Sequence, residues 1–262
     1  MPDCARISFN DGEGDNQMSF AAKTRLGILR GHCGAWTIGL FFGLIVLLLR
    51  FFGKLKIEGE KKLLITAKKG RVVIMSNHPS LVEAFLLPVI LSPRHLFDLN
   101  FFFWSLPDGQ LFSSKTNLVS RFRRSLFRLG RCIMISRSEG RNYLPIRQLY
   151  RILNSGENIV IHPEGGRTEK GSSFVQLKKR RLRKIESNAT MLIARLGGVI
   201  IPVFVDKREE LATVSSSVFG LFTGKQAPMV IHIGEPYRPD SKKNSTELNQ
   251  ELEQKILKAG LS

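Results

Sequence analysis

The distribution of apolar residues divides the chain into three parts. Residues 1–20 are polar and partly acidic, which predicts a disordered tail. Residues 34–49 carry no charge and are mostly apolar, so residues 21–54 predict a membrane-associated helical segment. From residue 55 to residue 262, short apolar runs alternate with amphipathic stretches, which predicts one folded domain.

The length of the uncharged run indicates whether this segment can span a membrane. As a helix it is about 24 Å long, shorter than the roughly 30 Å hydrocarbon core of a bilayer, unless Arg50, Phe51 and Phe52 extend it. Basic residues flank it on both sides, so they do not set its orientation. We expect either a segment that dips into one leaflet or a single span, with the folded domain in the cytoplasm. A buried helix of a soluble protein is the alternative.

The alternation of apolar runs and amphipathic stretches over residues 55–262 predicts an α/β fold with a single mixed or largely parallel sheet flanked by helices. The strand candidates are Val72–Met75, Cys132–Ser136, Asn158–His162, Val199–Val205 and Met229–Ile233. The helix candidates are Leu81–Leu91, Arg121–Leu129, Tyr143–Leu153, Ile185–Leu196 and Thr246–Lys258. Pro202 predicts an edge strand or a bulge at its position, because proline has no N–H to donate to a neighbouring strand.

The charge is strongly basic, with 40 Lys and Arg against 22 Asp and Glu, a formal net charge of +18. Such a protein suits a polyanion: nucleic acid, anionic lipid or a phosphorylated substrate. Nucleic-acid binding would not explain the apolar segment, and the chain has no recognition-helix or zinc-finger signature, so no nucleic-acid partner is expected. Three scattered cysteines and five dispersed histidines predict no disulfide framework and no metal site.

The stretch Ser76–Phe85 (SNHPSLVEAF) brings a histidine and a carboxylate together at the end of a strand. Residues five apart on one helix lie about 140° apart around its axis and would not face each other. Pro79 suits the first position of a helix, which leaves His78 in the loop before it. The His78 ring can then fold back onto Glu83, so that His78 could act as a general base oriented by the carboxylate. A capped helix start beside a solvated glutamate is the alternative.

Two further strand ends carry candidate binding residues. Arg137 ends the strand candidate of GRCIMISR, where a surface arginine is the plain alternative. The turn Pro163–Arg167 (PEGGR) follows another strand candidate, and its glycines permit a tight turn with exposed backbone N–H groups. Arg167 is placed to bind a phosphate with two hydrogen bonds. A glycine-rich turn without a ligand is the alternative.

Together these blocks resemble the glycerolipid acyltransferase family, which includes the lysophosphatidic acid acyltransferases. The resemblance covers about residues 55–239 and rests on NHPSLVE (an HX4E motif), GRCIMISR, HPEGGR, VIIPV and IHIGEP in that order. The chain differs from the family pattern at Glu83, where aspartate is usual, at His162, where phenylalanine is usual, and at Gly166, where threonine or serine is usual.

The resemblance implies a membrane-bound enzyme of phospholipid biosynthesis that acylates a lysophospholipid hydroxyl, with 1-acylglycerol-3-phosphate as the expected acceptor. Acyl-CoA or acyl carrier protein would be the donor, and no cofactor is expected. It implies that His78 is the base and Glu83 its partner. It further implies that the acceptor is held by Arg137, Glu164, Gly165, Gly166, Arg167 and Lys178.

Two alternatives stay open at this point. The acceptor can be another lysolipid or an amino-acid-containing lipid, and the protein can be a lipid-binding member of the fold without activity. The aromatic stretch 94–112, which follows the helix of Glu83, is a candidate for lining the site of the acyl chain.

Overall fold

The computed structural model describes residues 25–79, 82–106, 130–133, 143–168, 172–206 and 227–261. The strands are β1 (Leu55–Glu58), β2 (Val72–Ser76), β3 (Trp104–Ser105), β4 (Ile159–Ile161), β5 (Phe174–Leu177), β6 (Arg180–Arg183), β7 (Val199–Asp206) and β8 (Met229–Ile233). The helices are α1 (Arg25–Gly34), α2 (Leu40–Phe51), α3 (Glu60–Ala67), α4 (Val82–Leu86), α5 (Tyr143–Asn154), α6 (Ala189–Arg195) and α7 (Ser245–Lys258). The disordered tail predicted for residues 1–20 lies outside the described residues.

Six strands form one sheet in the order β1-β8-β7-β2-β4-β3, and β5 and β6 form a separate antiparallel hairpin. All neighbours in the large sheet are parallel except β7 and β8. The predicted mixed, largely parallel sheet is therefore confirmed. β2 lies inside the sheet, between β7 and β4. All five of its residues are buried, as expected for a parallel strand covered on both faces.

The alternation of side chains along β2 assigns the helices to two layers. Val72 and Ile74 join a core cluster with α2, α3 and α4, whereas Val73 and Met75 join a second cluster with α5, α6 and α7. The carboxyl end of β2 emerges between the two layers. A loop that begins there can reach residues from both sides of the sheet.

Some predicted boundaries differ from the structure. The helix predicted over Leu81–Leu91 is α-helical only to Leu86 and continues as a tighter turn at Leu87–Val89, where Pro88 cannot donate the next helical hydrogen bond. The helix predicted from Ile185 begins at Ala189. The helix predicted over Arg121–Leu129 and most of the strand over Cys132–Ser136 lie outside the described residues.

Of the two alternatives predicted for Pro202, the edge strand is wrong, because β7 lies between β2 and β8. The bulge fits the pairing, because Val203 pairs with Ile233 whereas Ile200 pairs with Tyr237, which leaves one extra residue on the partner side opposite Pro202. The N–H of Ile200 donates to Tyr237, so the nitrogen two residues later points to the same side of β7. Opposite Pro202, β8 has already ended, because its last residue, Ile233, pairs with Val203. Pro202 therefore sits where no strand requires its missing N–H.

The N-terminal helical segment packs against the domain along one side. α1 and α2 are joined by a π-helical turn at Ala35–Gly39, and the stretch Gly31–Phe51 is long and apolar enough to cross a membrane by length and composition. A Cβ atom on Gly39 would lie 3.1 Å from the His95 ring, and one on Gly43 would lie 2.7 Å from it. These glycines let the helix backbone approach the domain closely.

Candidate active site

The candidate site lies at the carboxyl ends of β2 and β4. These strands are parallel neighbours in register, with Met75 opposite Ile161, so the loops that follow them start side by side. The first loop carries Asn77 and His78, and the second begins at His162. In open α/β sheets this edge is where ligands bind.

His78 and Glu83 form the predicted pair. His78 Nδ1 lies 2.6 Å from Glu83 Oε1, the side chain of His78 is 16% exposed, and that of Glu83 is fully buried. His78 is in the loop and Glu83 is in the first turn of α4, as the spacing predicted. Because Nδ1 faces the carboxylate, the other ring nitrogen, Nε2, is the one available to a substrate.

Asn77 fixes the loop to the neighbouring strand β7. Its side-chain amide donates to the backbone O of Val205 at 3.0 Å, and its Oδ1 accepts from the Val205 N–H at 2.7 Å. This pair of hydrogen bonds replaces the ladder between β2 and β7 just beyond the end of β2. The backbone of His78 is thereby held at a defined position above the sheet.

His162 stacks on His78, with ring centroids 4.5 Å apart and planes 21° apart. Its Nδ1 lies 3.3 Å from the carbonyl O of Ser76 and 3.2 Å from that of Asn77, so Nδ1 carries the proton. Burial, and secondly the neighbouring His78, lower the pKa of His162 to about 4. His162 is therefore a neutral ring stacked against His78.

Glu164 joins the second loop to the first. Its Oε1 accepts from the backbone N–H of His78 at 3.3 Å and from the Thr168 hydroxyl at 2.9 Å, while the Thr168 N–H donates to the His78 carbonyl at 2.9 Å. The residue is only 4% exposed, and burial raises its pKa to about 7. Glu164 thus holds the backbone on which the His78 ring stands.

The turn Gly165–Gly166 makes a close approach to an arginine from the hairpin. Gly165 has a φ of +67°, which favours glycine, and its N–H donates to the His162 carbonyl at 3.3 Å. A Cβ atom on Gly166 would lie 2.9 Å from Nη1 of Arg183. Glycine at this position, where the family has threonine or serine, thus makes room for the Arg183 guanidinium.

The remaining predicted residues are placed as follows. Arg167 is half-buried and follows Gly166 in the same turn. Lys178 is exposed at the tip of the β5–β6 hairpin with a φ of +55°, and no contact that joins it to His78 or Glu164 is seen among the described residues. Arg137 lies outside the described residues.

An apolar cavity of about 440 Å³ borders the helix that carries Glu83, although neither His78 nor Glu83 is among its lining residues. Its walls include Ala84 and Phe85, the residues directly after Glu83. The N-terminal helical segment and the aromatic stretch complete it, with the lining residues Thr37, Ile38, Phe41, Phe42, Pro88, Val89, Phe102, Ser105, Gly130 and Cys132. Phe102 and Ser105 belong to the stretch that was predicted to line the acyl-chain site.

The sequence did not single out Asn77, Thr168 or Arg183 as parts of the site. Asn77 stands inside the first block, and its paired bonds to a distant strand leave no pattern in the sequence. Arg183 belonged to a basic run that was interpreted mainly as a solvated face. In the part of the chain that the structure describes, no group of three or more His, Cys, Asp or Glu side chains is suited to hold a metal ion.

Comparisons with known proteins bear on the fold and the family of the chain. The crystal structure of the 1-acyl-sn-glycerophosphate (LPA) acyltransferase PlsC from Thermotoga maritima matches 78% of this chain and 70% of that chain, with a TM-score of 0.50 and 18% identity. At that identity the likeness concerns the fold. No curated protein gives a significant match to the sequence.

A sequence model of the family described as "Acyltransferase" matches residues 54–206, which is more than half of the chain and includes both loops of the site. The family predicted from the ordered blocks is confirmed, and the chain belongs to the acyltransferase family.

Proposed function

We propose that this acyltransferase moves a fatty acyl group from an acyl thioester to the hydroxyl of a lysophospholipid, with 1-acylglycerol-3-phosphate as the acceptor. The observation that carries the proposal is the 2.6 Å contact between His78 Nδ1 and Glu83 Oε1, and an apolar cavity lined by the next two residues of the same helix, Ala84 and Phe85, supports it. A general base and a place for an acyl chain are the two requirements of this reaction.

The reaction needs one proton acceptor and no covalent intermediate on the enzyme. His78 Nε2 takes the proton of the acceptor hydroxyl as its oxygen attacks the thioester carbonyl. The C–S bond then breaks, the ester forms, and the imidazolium returns the proton to the leaving thiolate. Glu83 holds the Nδ1–H tautomer and stabilises the imidazolium charge. No resident cofactor is needed.

Cys132 is unsuited to the role of nucleophile although it lines the cavity. Burial raises the pKa of its thiol to about 11, so the thiolate is scarce at neutral pH. This supports direct attack by the acceptor hydroxyl over a route through an acyl-cysteine.

The acceptor phosphate would be held by cations around the second loop. Arg167 belongs to that loop, and Arg183 lies directly against Gly166. Guanidinium groups bind phosphate oxygens through paired, charge-assisted hydrogen bonds. Arg137 and Lys178 stay predicted contributors, Gly165 and Gly166 shape the turn, and Glu164 acts by positioning His78.

The acyl chain of the donor would occupy the apolar cavity, whether the donor is acyl-CoA or acyl carrier protein. The thioester end would then lie near Ala84 and Phe85, next to Glu83. Phe41 and Phe42 of the N-terminal helix also line the cavity, and the Phe42 ring stacks on that of Phe85 with centroids 5.3 Å apart. The chain would therefore reach the site along the helix that is expected to contact the membrane.

The packing of that helix supports insertion into one leaflet, and the cytoplasmic side stays the predicted location of the domain. Contacts to the domain extend from Gly31, whose added Cβ would meet Leu99, to Leu49, which is fully buried. A helix held to the domain over this length cannot cross the bilayer without drawing the domain into it. Its outward side is apolar and exposed, at Trp36, Leu40, Phe41, Leu44, Leu47, Leu48 and Phe51.

The first prediction concerns the proposed base. Purified protein in detergent should transfer radiolabelled oleoyl groups from oleoyl-CoA to lysophosphatidate. His78→Ala should reduce the rate by at least about 10²-fold, because it removes the proton acceptor, and Glu83→Gln should reduce it substantially. His232→Ala is the matched control, since His232 Nδ1 lies 2.7 Å from Glu58 Oε2 in a second histidine–glutamate pair.

Equal loss of activity in the His78 and His232 variants, with unchanged thermal stability, would contradict the assignment of the base. If the native protein acylates another lysolipid or an amino-acid-containing lipid in place of lysophosphatidate, the proposed acceptor is wrong and the mechanism stands. Acyl carrier protein donors belong in the same panel.

The second prediction concerns Arg183. Arg183→Gln should raise KM for lysophosphatidate about 10- to 100-fold, because a charge-assisted contact to the phosphate is lost. Arg181→Gln removes the same charge two residues earlier, where the guanidinium lies 5.2 Å from the Phe174 ring centroid, and should leave KM within about twofold. Similar KM values for both variants would show that Arg183 does not bind the acceptor.

The third prediction concerns the cavity. Ala84→Leu places three more carbon atoms inside it and should shift the preference among acyl-CoA donors towards shorter chains. Ala189→Leu is the matched control, because Ala189 begins α6 on the other face of the sheet. Competition between donors of different chain length measures the preference. An unchanged preference in the Ala84 variant would place the acyl chain elsewhere.

The fourth prediction concerns the pH dependence of stability at Glu164. Its pKa is raised from the ordinary 4.5 to about 7, so the folded protein binds more protons than the unfolded chain between these values and loses stability as pH rises through them. Glu164→Gln removes this loss. Relative to the native protein, the variant should gain on the order of 1–3 kcal/mol between pH 4.5 and 8.

Thermal unfolding in detergent, followed by tryptophan fluorescence at both pH values, measures this difference. Glu186→Gln, at an exposed position, is the control and should show the same pH dependence as the native protein. A Glu164 variant that also matches the native profile would mean that the carboxyl is ionised throughout this range.

A further inference from the structure

A second cavity, of about 650 Å³, lies between the C-terminal part of α2, the start of α3 and the turn at Pro93. We call it the interface groove, and its lining residues are Leu47, Arg50, Glu60, Lys61, Leu64, Ser92, Pro93 and Arg94. It shares no residue with the cavity beside His78 and Glu83. It is therefore a cavity separate from the proposed acyl-chain site.

The charges of the interface groove are unbalanced. Three cations, Arg50, Lys61 and Arg94, line it together with a single carboxylate, Glu60. Glu60 binds Arg50 through both oxygens, at 3.2 and 2.9 Å, and lies 3.6 Å from Arg94. One carboxylate thus compensates for one of three positive charges, and the groove keeps a net charge of about +2.

The position of the groove brings it to the level of lipid headgroups. Arg50 is the first charged residue after the uncharged run, and the neighbouring Phe51 and Phe52 are 83% and 57% exposed. Aromatic side chains next to a cation are typical of the boundary between lipid and water. Leu47 belongs both to the exposed apolar side of α2 and to the wall of the groove.

We propose that the interface groove binds the headgroup of an anionic phospholipid from the surrounding membrane. The phosphate lies among Lys61, Arg94 and Arg50, and the acyl chains lie on Leu47 and continue along the apolar side of α2. The occupant is a lipid of the bilayer and not the substrate of the reaction. The inference rests on the membrane association proposed above and is independent of the acyl-transfer chemistry.

The variant that tests this is Lys61→Gln combined with Arg94→Gln, which leaves the Arg50–Glu60 pair intact. The matched control is Arg195→Gln combined with Lys242→Gln, two exposed cations at α6 and before α7, the helices on the opposite face of the sheet. Flotation with vesicles of phosphatidylcholine alone, and with 20 mol% phosphatidylglycerol added, measures binding. Binding to phosphatidylcholine alone reports the membrane association itself.

Native protein and control should bind the phosphatidylglycerol vesicles several-fold more tightly than pure phosphatidylcholine. The groove variant should lose about tenfold in affinity for the anionic vesicles and nothing for the neutral ones. Equal losses in groove variant and control would show diffuse attraction by the whole basic surface and would overturn the proposal. So would native binding that does not respond to phosphatidylglycerol.

A second measurement separates a lipid headgroup from free phosphate. Native mass spectrometry in detergent should show one more short-chain phosphatidylglycerol bound to native protein than to the groove variant, with 10 mM inorganic phosphate unable to displace that additional lipid. Displacement by inorganic phosphate would overturn the lipid assignment. Acyl transfer in detergent should be unchanged in the groove variant, and this keeps the outcome distinct from any failure of the proposed reaction.

Discussion

The site depends on one constraint: the loop residue His78 must stay out of the helix that carries its partner Glu83. On a continuous helix, residues five apart would point about 140° away from each other, and the 2.6 Å contact would be impossible. The chain meets this constraint with backbone hydrogen bonds from outside the segment. Asn77 is fixed to β7, and the backbone of His78 is fixed at its N–H and its carbonyl by Glu164 and Thr168.

These bonds explain why the site needs the whole sheet. The partners of the His78 loop come from β7 on one side and from the loop after β4 on the other, and both strands run parallel to β2. Their carboxyl ends therefore meet at one edge. If His78 is the base, as proposed, holding it in this way means that it loses little freedom when the substrate binds, which is the advantage of a preorganised site. Glu164, which resembles a substrate ligand in the sequence, serves this internal purpose in the structure.

The sequence predicts the parts of the molecule that follow a local pattern. Strands β2, β7 and β8 were predicted within one residue because each is a run of β-branched and apolar residues. β1, β3 and the β5–β6 hairpin were not, because β3 has two residues, β1 (LKIE) and β6 (RRLR) carry charged residues, and β5 (FVQL) has only four residues. Their pairing is decided by contacts to distant parts of the chain, which no local pattern records.

The candidate site divides in the same way. The His78–Glu83 pair was predictable since both residues lie in one short segment with a proline between them. The contact of Arg183 with Gly166 was not, because the two are brought together only by the hairpin. In the family pattern the position of Gly166 carries a side chain. The lack of a side chain at Gly166 leaves space for the Arg183 guanidinium. In the sequence these two features look unrelated.

The N-terminal helix is part of the domain core and of the wall of the apolar cavity. The sequence suggests a separate segment attached to a domain, yet Val46 and Leu49 are fully buried in the domain core and Thr37, Ile38, Phe41 and Phe42 form a wall of the apolar cavity. The same helix turns its other side outward, with large apolar side chains exposed. In the proposed reaction, the acyl chain of the thioester donor stays in contact with apolar surface inside this cavity. Exposing the chain to water would cost about 0.8 kcal/mol for each CH₂ group, so under the proposed function the helix contributes to catalysis by lining an apolar place for the chain.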